Sequence, residues 1–251
     1  MKILKWEQLP QEMQTEEVKK YYDILKKKKA SLFFKRVFDL LVSIVGLIIL
    51  SPVYLILAII IKIDSPGPVF YRQERVTQYG KHFRIHKFRT MVQNADKGSQ
   101  VTVNNDSRVT RVGKVIRGCR LDEIAQLIDV FQGTLTLCGV RPETPKYVAE
   151  YTNEMMATLL LPAGVTSLAS IYYKDEAKIL DGVEDPDKVY IEQILPEKMY
   201  YNLKGIEQFS FWKDIKIMFM TVFAVLGKKY KMEPKDDVQS TKKQVSEDVA
   251  V

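Results

Sequence analysis

At 251 residues the chain has room for one sizeable domain with extensions or for two small ones, and 46% hydrophobic with 27% charged residues excludes a collagen-like or wholly disordered polymer. A formal charge of +7 favours anionic partners, whether phosphorylated substrates, acidic lipid headgroups or nucleic acid, without choosing among them. Two cysteines, Cys119 and Cys138, stand in no metal-binding or CxxC spacing, which argues against a disulfide framework and for a reducing cytoplasmic setting.

Residues 1–34 are charged, with helical spacing at Val18, Tyr21, Tyr22 and Leu25, and read as an interfacial or cytosolic helix. From Val37 to Ile61 the chain is apolar, interrupted only by Asp39, Ser43, Gly46, Ser51 and Pro52. An unbroken helix here measures roughly 37 Å at about 1.5 Å per residue. That is enough to cross a hydrocarbon core of about 30 Å, although a buried core helix has the same composition. The run lies far from the N-terminus and no small-residue cleavage site follows it, which argues against a signal peptide.

Lysines and arginines flank the run on both sides: Lys26 to Lys29, Lys35 and Arg36 before it, Lys62, Arg72 and Arg75 after it. Positive residues mark a cytoplasmic flank. Ser51-Pro52 sits just past the middle, where proline removes a backbone donor and breaks or kinks a helix. Together these features predict a re-entrant helix that enters and leaves by one face; a kinked spanning helix is the alternative. Asp39 needs a partner at this depth, and Lys35 or Arg36 is within reach along the sequence.

Beyond the run, Asp64-Ser65-Pro66-Gly67-Pro68 is a turn by composition. Val69-Phe70-Tyr71 and His82 to His86 read as short strands with a turn near Gly80. On a strand His82 and His86 share no helical face, and two histidines alone leave a zinc site short of ligands. Residues 94–107 are polar and loop-like. Leu121, Ile124, Leu127, Ile128 and Phe131 recur at helical spacing before Gly133, predicting a helix over 121–132. Further helical segments are expected around 144–160 and 186–203. Phe209 to Leu226 mixes aromatic and basic residues and suits either a helix in the membrane interface or one packed on the core. The tail from about 230 is polar, charged and expected to be disordered.

Asp122-Glu123 opens the 121–132 helix, where free N–H groups and the helix dipole favour carboxylates for purely structural reasons. Arg108, Arg111, Lys114, Arg117 and Arg120 precede the pair and Arg141 follows the helix. An anionic nucleophile among guanidinium groups is what phosphoryl transfer requires, and an aspartate can attack phosphorus to form an acyl phosphate. A solvated basic face with surface ion pairs gives the same pattern. In Lys87-Phe88-Arg89-Thr90-Met91, strand alternation places Lys87 and Arg89 on one face and Phe88 on the other.

These blocks resemble the bacterial sugar transferase family of monotopic phosphoglycosyl transferases, across about residues 32–226. The resemblance is carried by Lys35-Arg36-Val37-Phe38-Asp39, Ser51-Pro52, Gly67-Pro68 through Val76, and Lys87 to Met91. It continues in Thr110-Arg111-Val112-Gly113, Arg117, Leu121-Asp122-Glu123, Gln126-Leu127 and Gly139-Val140-Arg141-Pro142-Glu143. Two blocks depart from the family pattern: Val140 replaces the first proline of Pro-Arg-Pro, and Pro162-Ala163-Gly164-Val165-Thr166 lacks the usual arginine. Downstream, Leu168 to Ile171, Asp175-Glu176 and Pro196-Glu197-Lys198 are similar to an exopolysaccharide-type branch.

The resemblance implies an enzyme that moves a sugar-1-phosphate from a UDP-sugar to undecaprenyl phosphate through a covalent aspartyl-phosphosugar intermediate, releasing UMP. It implies Asp122 as nucleophile and magnesium ligand, Glu123 as partner carboxylate, and Lys87, Arg89, Arg117 and Arg141 as phosphate-binding residues. Ser51 and Pro52 become the break of a re-entrant helix. The implied fold is α/β, helix-rich with small β-hairpin elements and interfacial amphipathic helices. Its segments are a charged helix (1–34), the membrane helix (35–62), a catalytic domain (63–228) and a charged tail (229–251). The implied partners are donor, acceptor and membrane lipid, with no nucleic acid and with room for a homo-oligomer, on the cytoplasmic face of the inner membrane. A catalytically silent, membrane-anchored subunit of a polysaccharide assembly system is the alternative.

Overall fold

The computed structural model describes residues 1–93, 95, 107–180 and 183–232; most of the polar 94–107 loop and of the charged tail lies outside these residues. Helices α1 (Glu16–Lys26) and α2 (Lys29–Asp64) come first, followed by strands β1 (Phe70–Val76) and β2 (His82–Phe88). Next are α3 (Arg111–Gly118), α4 (Gln126–Gln132), strand β3 (Leu135–Cys138), α5 (Pro145–Val148) and strand β4 (Ala163–Thr166). Helices α6 (Leu168–Tyr172), α7 (Glu176–Ile179), α8 (Pro186–Val189), α9 (Leu195–Glu207) and α10 (Phe211–Val225) complete the described chain. β1 and β2 form an antiparallel hairpin in which Tyr71 faces Lys87, and β3 and β4 pair in parallel with Thr136 opposite Gly164. The helix-rich fold with small sheets follows the expectation. The helix expected over 144–160 is instead two short pieces, α5 and a 3-10 turn over Met155–Leu160.

The Thr15 hydroxyl accepts from the Val18 amide at the start of α1, and Glu16 and Glu17 complement the first turn. Its stripe of Val18, Tyr21, Tyr22 and Leu25 packs against Leu160, Leu203, Ile206 and Phe209. Helix α1 is therefore part of the domain core, which its apolar periodicity requires.

Helix α2 is 36 residues long, about 54 Å if straight at about 1.5 Å per residue. It runs through Ser51-Pro52 without interruption, so the expected break is absent from the secondary structure. The reason is local. Pro52 deprives the Ile48 carbonyl of its backbone donor, and the Ser51 hydroxyl supplies one at 2.8 Å. Only 11% of its most apolar stretch is buried, which rules out the buried core helix. Leu41, Ile48, Ile49, Leu55 and Ile63 point outward, Ile48 being 68% and Ile63 80% exposed. A contiguous exposed apolar surface of this kind suits lipid.

The opposite stripe of α2 rests on the domain along its whole length. Lys35 donates to Asp214 at 2.6 Å, and Arg36 caps α4 through the carbonyls of Val130 (2.7 Å) and Phe131 (3.0 Å). Asp39 accepts from Thr136 Oγ1 at 2.6 Å and from the Leu137 amide at 3.1 Å. Its partners thus come from β3; Lys35 and Arg36, expected to pair with it, are committed elsewhere. Further along, Tyr54 donates to the Ile124 carbonyl at 2.6 Å, and Leu57 and Ile61 pack on Phe88, Ile116 and Ala125.

Helix α10 lies beside α2, its Phe211 ring edge-on to Phe38 at 5.8 Å. Trp212 (76% exposed), Phe219, Val222, Phe223 and Leu226 extend the outward apolar surface of α2.

Candidate active site

Four elements converge beside a cleft of about 770 Å³, which Glu123 and Arg141 line. The β2 strand brings Lys87, placing Phe88 behind it in the apolar cluster with Leu57, Ile61 and Ile116. Helix α3 brings Arg117, whose Nε donates to Thr90 Oγ1 at 2.8 Å. Arg120 then adopts a left-handed conformation (φ 53°, ψ 26°), reversing the chain into a 3-10 turn over Leu121–Ala125. That turn carries Asp122 and Glu123 and leads into α4. The helix expected over 121–132 therefore has its first turn wound more tightly, while Gly133 (φ 86°) ends it as expected. Arg141 enters from the end of β3.

The two neighbouring carboxylates are in opposite circumstances. Glu123 is held by both guanidinium nitrogens of Arg141, one contact at 3.3 Å, and lies 3.7 Å from Lys87. Burial alone would raise its pKa, but Arg141 and Lys87 outweigh it and hold the carboxyl well below the usual carboxylate range. Asp122 has no side-chain partner among the described residues. Burial and the charge of Glu123 push its pKa above the ordinary value, with Lys87 and Arg117 pulling the other way. One carboxylate is fixed and the other is open and more basic, the division of environment that separates roles in acid-base and nucleophilic sites. Lys87 is brought down to about 8, chiefly by burial and then by the nearby charges of Arg141 and Arg75 against Glu123.

Arg89, expected to share a face with Lys87, is elsewhere. Once the strand ends at Phe88, its guanidinium turns to the end of α2, donating to the carbonyls of Ser65 (2.7 Å) and Pro66. It is buried there as a helix cap. The structure thus gathers Asp122, Glu123, Lys87, Arg117 and Arg141, and leaves Arg89 in a structural position.

Val140 departs from the family pattern without loosening the turn, because its carbonyl accepts from Gly164 N at 2.7 Å and Gly139 N donates to Thr166 at 2.8 Å. A Cβ on Gly164 would lie 2.2 Å from Gly139 N, so this close approach of the β3 and β4 ends requires glycine. Pro162, in place of a basic residue, does not line the cleft.

The far end of the cleft holds residues to which the sequence reading gave no role. Buried Glu143 accepts from Tyr190 Oη at 2.5 Å and from Lys198 at 3.2 Å, and lies 3.9 Å from Arg75. Lys198 also contacts Glu176 at 3.1 Å. Strand alternation could have flagged Gln73 and Arg75 as sharing a face; nothing local links Glu143 to Lys198, 55 residues away. Between the two ends, Ile124, Leu127, Ala224 and Val225 give the cleft an apolar flank beside α10.

Among the described residues no cluster of three or more acidic, histidine or cysteine side chains forms a preassembled metal site. Magnesium commonly binds through one or two carboxylates plus substrate phosphates, and the open Asp122 carboxylate fits that arrangement.

A model of the bacterial sugar transferase family matches residues 30–228. The chain is 36% identical over 198 residues to a UDP-N-acetylgalactosamine-undecaprenyl-phosphate N-acetylgalactosaminephosphotransferase of Aeromonas hydrophila, covering 77% of this chain and 44% of the relative. It is also 36% identical to a UDP-glucose:undecaprenyl-phosphate glucose-1-phosphate transferase of Klebsiella pneumoniae, covering 77% and 40%. With an undecaprenyl-phosphate galactose phosphotransferase of Salmonella typhimurium the identity is 31%, covering 79% and 42%. The chain spans less than half the length of these relatives.

Proposed function

Because the chain belongs to the bacterial sugar transferase family, we propose that it transfers a sugar-1-phosphate from a UDP-sugar to undecaprenyl phosphate at a membrane surface. The observation that carries this reading is the adjacency of an open, more basic Asp122 and a cation-locked Glu123, with Lys87, Arg117 and Arg141 around them. Three cations about the carboxylate pair suit a diphosphate, whose charge grows on the leaving oxygen as the bond breaks.

In the first step Asp122 attacks the sugar-linked phosphorus of the donor. The P–O bond to the nucleoside monophosphate breaks, its electron pair leaves on UMP, and an aspartyl phosphosugar forms. A phosphate oxygen of undecaprenyl phosphate then attacks the same phosphorus and displaces the Asp122 carboxylate, giving undecaprenyl diphosphate sugar. Arg117 and Arg141 hold the diphosphate in line, and Glu123 keeps Arg141 and Lys87 oriented. Magnesium, held by Asp122 and the donor phosphates, would neutralise charge on the departing UMP.

The placement of α2 supports a one-sided anchor. Its domain-facing stripe stays on the same domain from Leu32 to Asp64, so a spanning α2 would draw that domain into the bilayer. Basic residues at both ends of α2 point the same way, toward a cytoplasmic headgroup plane. The outward apolar faces of α2 and α10 would then set the cleft at that plane, where a soluble donor and an isoprenoid acceptor meet.

The test is UMP release from UDP-sugars by protein in nanodiscs with undecaprenyl phosphate and magnesium, beside Asp122→Asn. Release with one donor, lost in the variant, and a phosphosugar adduct on Asp122 after acid quench are expected. Silence of well-folded protein across the donor panel would shift the reading to the non-catalytic subunit.

A further inference from the structure

The cleft extends well past the carboxylate pair, and its far end has features that protein contacts alone leave unexplained. Thr144 stands at the N-cap of α5, where a hydroxyl ordinarily accepts from the helix. Thr15, Thr110 and Ser167 all do this at their own helices. Thr144 does not: its side chain makes no capping bond, and its Oγ1 is buried without a hydrogen-bond partner in a residue only 4% exposed. Arg75 repeats the pattern. Its terminal nitrogens are used by the Pro142 carbonyl (3.0 Å) and Gln73 (2.7 Å), while Nε is buried and unpartnered. Both residues line the cleft. Buried polar groups are nearly always satisfied, so two orphans in one wall point to a partner that arrives with a ligand.

The charges say which part of the ligand. At the catalytic end the cations Lys87, Arg117 and Arg141 exceed what Glu123 neutralises, as a diphosphate needs. At the far end Arg75 and Lys198 are matched by Glu143 and Glu176. A charge-balanced wall of carboxylate, hydroxyl and guanidinium suits a neutral group rich in hydroxyls. Glu176 is more open than Glu143 and keeps acceptor capacity beyond its bond to Lys198. Arg141 joins the two ends, since it feels the charges of Glu123, Glu143 and Glu176 together.

We propose that Thr144, Arg75 and Glu176 form the subsite that binds the hydroxyls of the donor's sugar and so sets which sugar is transferred. This rests on the sugar-1-phosphate reading above. Thr144 turns its hydroxyl to the sugar by rotation about χ1, Arg75 Nε reaches a ring hydroxyl on a matching shift of its side chain, and Glu176 accepts from one.

The experiment compares wild type with Thr144→Val, Thr144→Ser and Glu176→Gln. It measures kcat/KM for UDP-glucose, UDP-galactose and UDP-N-acetylgalactosamine, inhibition by UMP, and thermal stability. Valine replaces threonine at nearly the same size and removes a hydroxyl that bonds nothing in the protein. A merely structural Thr144 therefore predicts unchanged or higher stability and unchanged kinetics. The subsite predicts that Thr144→Val keeps its stability and its UMP inhibition while losing roughly tenfold in kcat/KM for the preferred donor. Serine should restore most of that loss, and Glu176→Gln should change the ranking of the three donors. An equal weakening of UMP inhibition would assign the wall to the nucleoside and overturn the proposal, as would unchanged donor kinetics in Thr144→Val and Glu176→Gln. Wild-type protein that releases no UMP would remove the transfer reading itself, an outcome separate from either.

Discussion

The hydroxyl of Ser51 donates to the carbonyl of Ile48, the acceptor that Pro52 leaves without its backbone N–H. In an apolar surrounding an unsatisfied carbonyl is costly, so the serine lets a proline sit in the middle of an exposed apolar helix. The pair acts as a unit, and this can be measured. Ser51→Ala should cost about 1 kcal/mol, lowering Tm in nanodiscs by about 2–4 °C. Ser51→Ala in a Pro52→Ala background should cost almost nothing, because the backbone donor is restored. Additive costs in the cycle would sink the idea.

The one-sided anchor makes a prediction about access. Lys28→Cys and Pro66→Cys, each in a Cys119→Ser background that keeps only the buried Cys138, should both react with an impermeant maleimide from the cytoplasmic side of oriented vesicles. Labelling of the two positions from opposite sides would establish a spanning helix.

The family resemblance implies phosphate binding for both Arg89 and Arg117, yet their contacts differ. Arg89 caps α2 through Ser65 and Pro66, whereas Arg117 stands near Asp122, whose carboxyl it draws downward. Arg89→Ala should cost about 2 kcal/mol of stability, a Tm loss of about 4–8 °C, with near-normal kcat/KM in the folded fraction. Arg117→Ala should leave Tm within about 2 °C and lower kcat/KM by roughly 10²-fold, as loss of a phosphate-binding guanidinium does. Equal stability and activity losses in both would show that the two residues share one role.

Lys87 supplies the pH dependence. With its pKa brought down to about 8, its charge is lost in the folded protein as pH rises through that value. Donor affinity of the free enzyme should fall over this range, and Lys87→Arg should move the alkaline limb upward because guanidinium stays protonated. Stability moves the opposite way. The unfolded chain holds a lysine proton up to about 10.4, so between about 8 and 10.4 it binds more protons and rising pH favours the fold. The charged form is thus a stability cost, largest below about 8, that the site bears for phosphate binding. A kcat/KM profile for Lys87→Arg identical to wild type above pH 8 would exclude this assignment.

The sequence by itself determined the features encoded by neighbouring residues. The apolar run that became α2, the hairpin, the apolar period leading from Asp122-Glu123 to Gly133, and the family blocks all depend on spacing within about two turns or one hairpin. Alternation even placed Phe88 behind Lys87 correctly. It failed one residue later, at Arg89, because the strand ends at Phe88 and a side chain beyond it follows the nearest unsatisfied carbonyls. What only the tertiary structure decided involves contacts across long stretches of chain: Asp39 with Thr136, Lys35 with Asp214, Glu143 with Lys198. A charged group buried on folding must find a partner, and which one it finds depends on how the elements pack. The opposite states of Asp122 and Glu123 have the same origin. Adjacent and alike in sequence, they differ because the fold sets the fork of Arg141 against one carboxylate and leaves the other without a side-chain partner among the described residues.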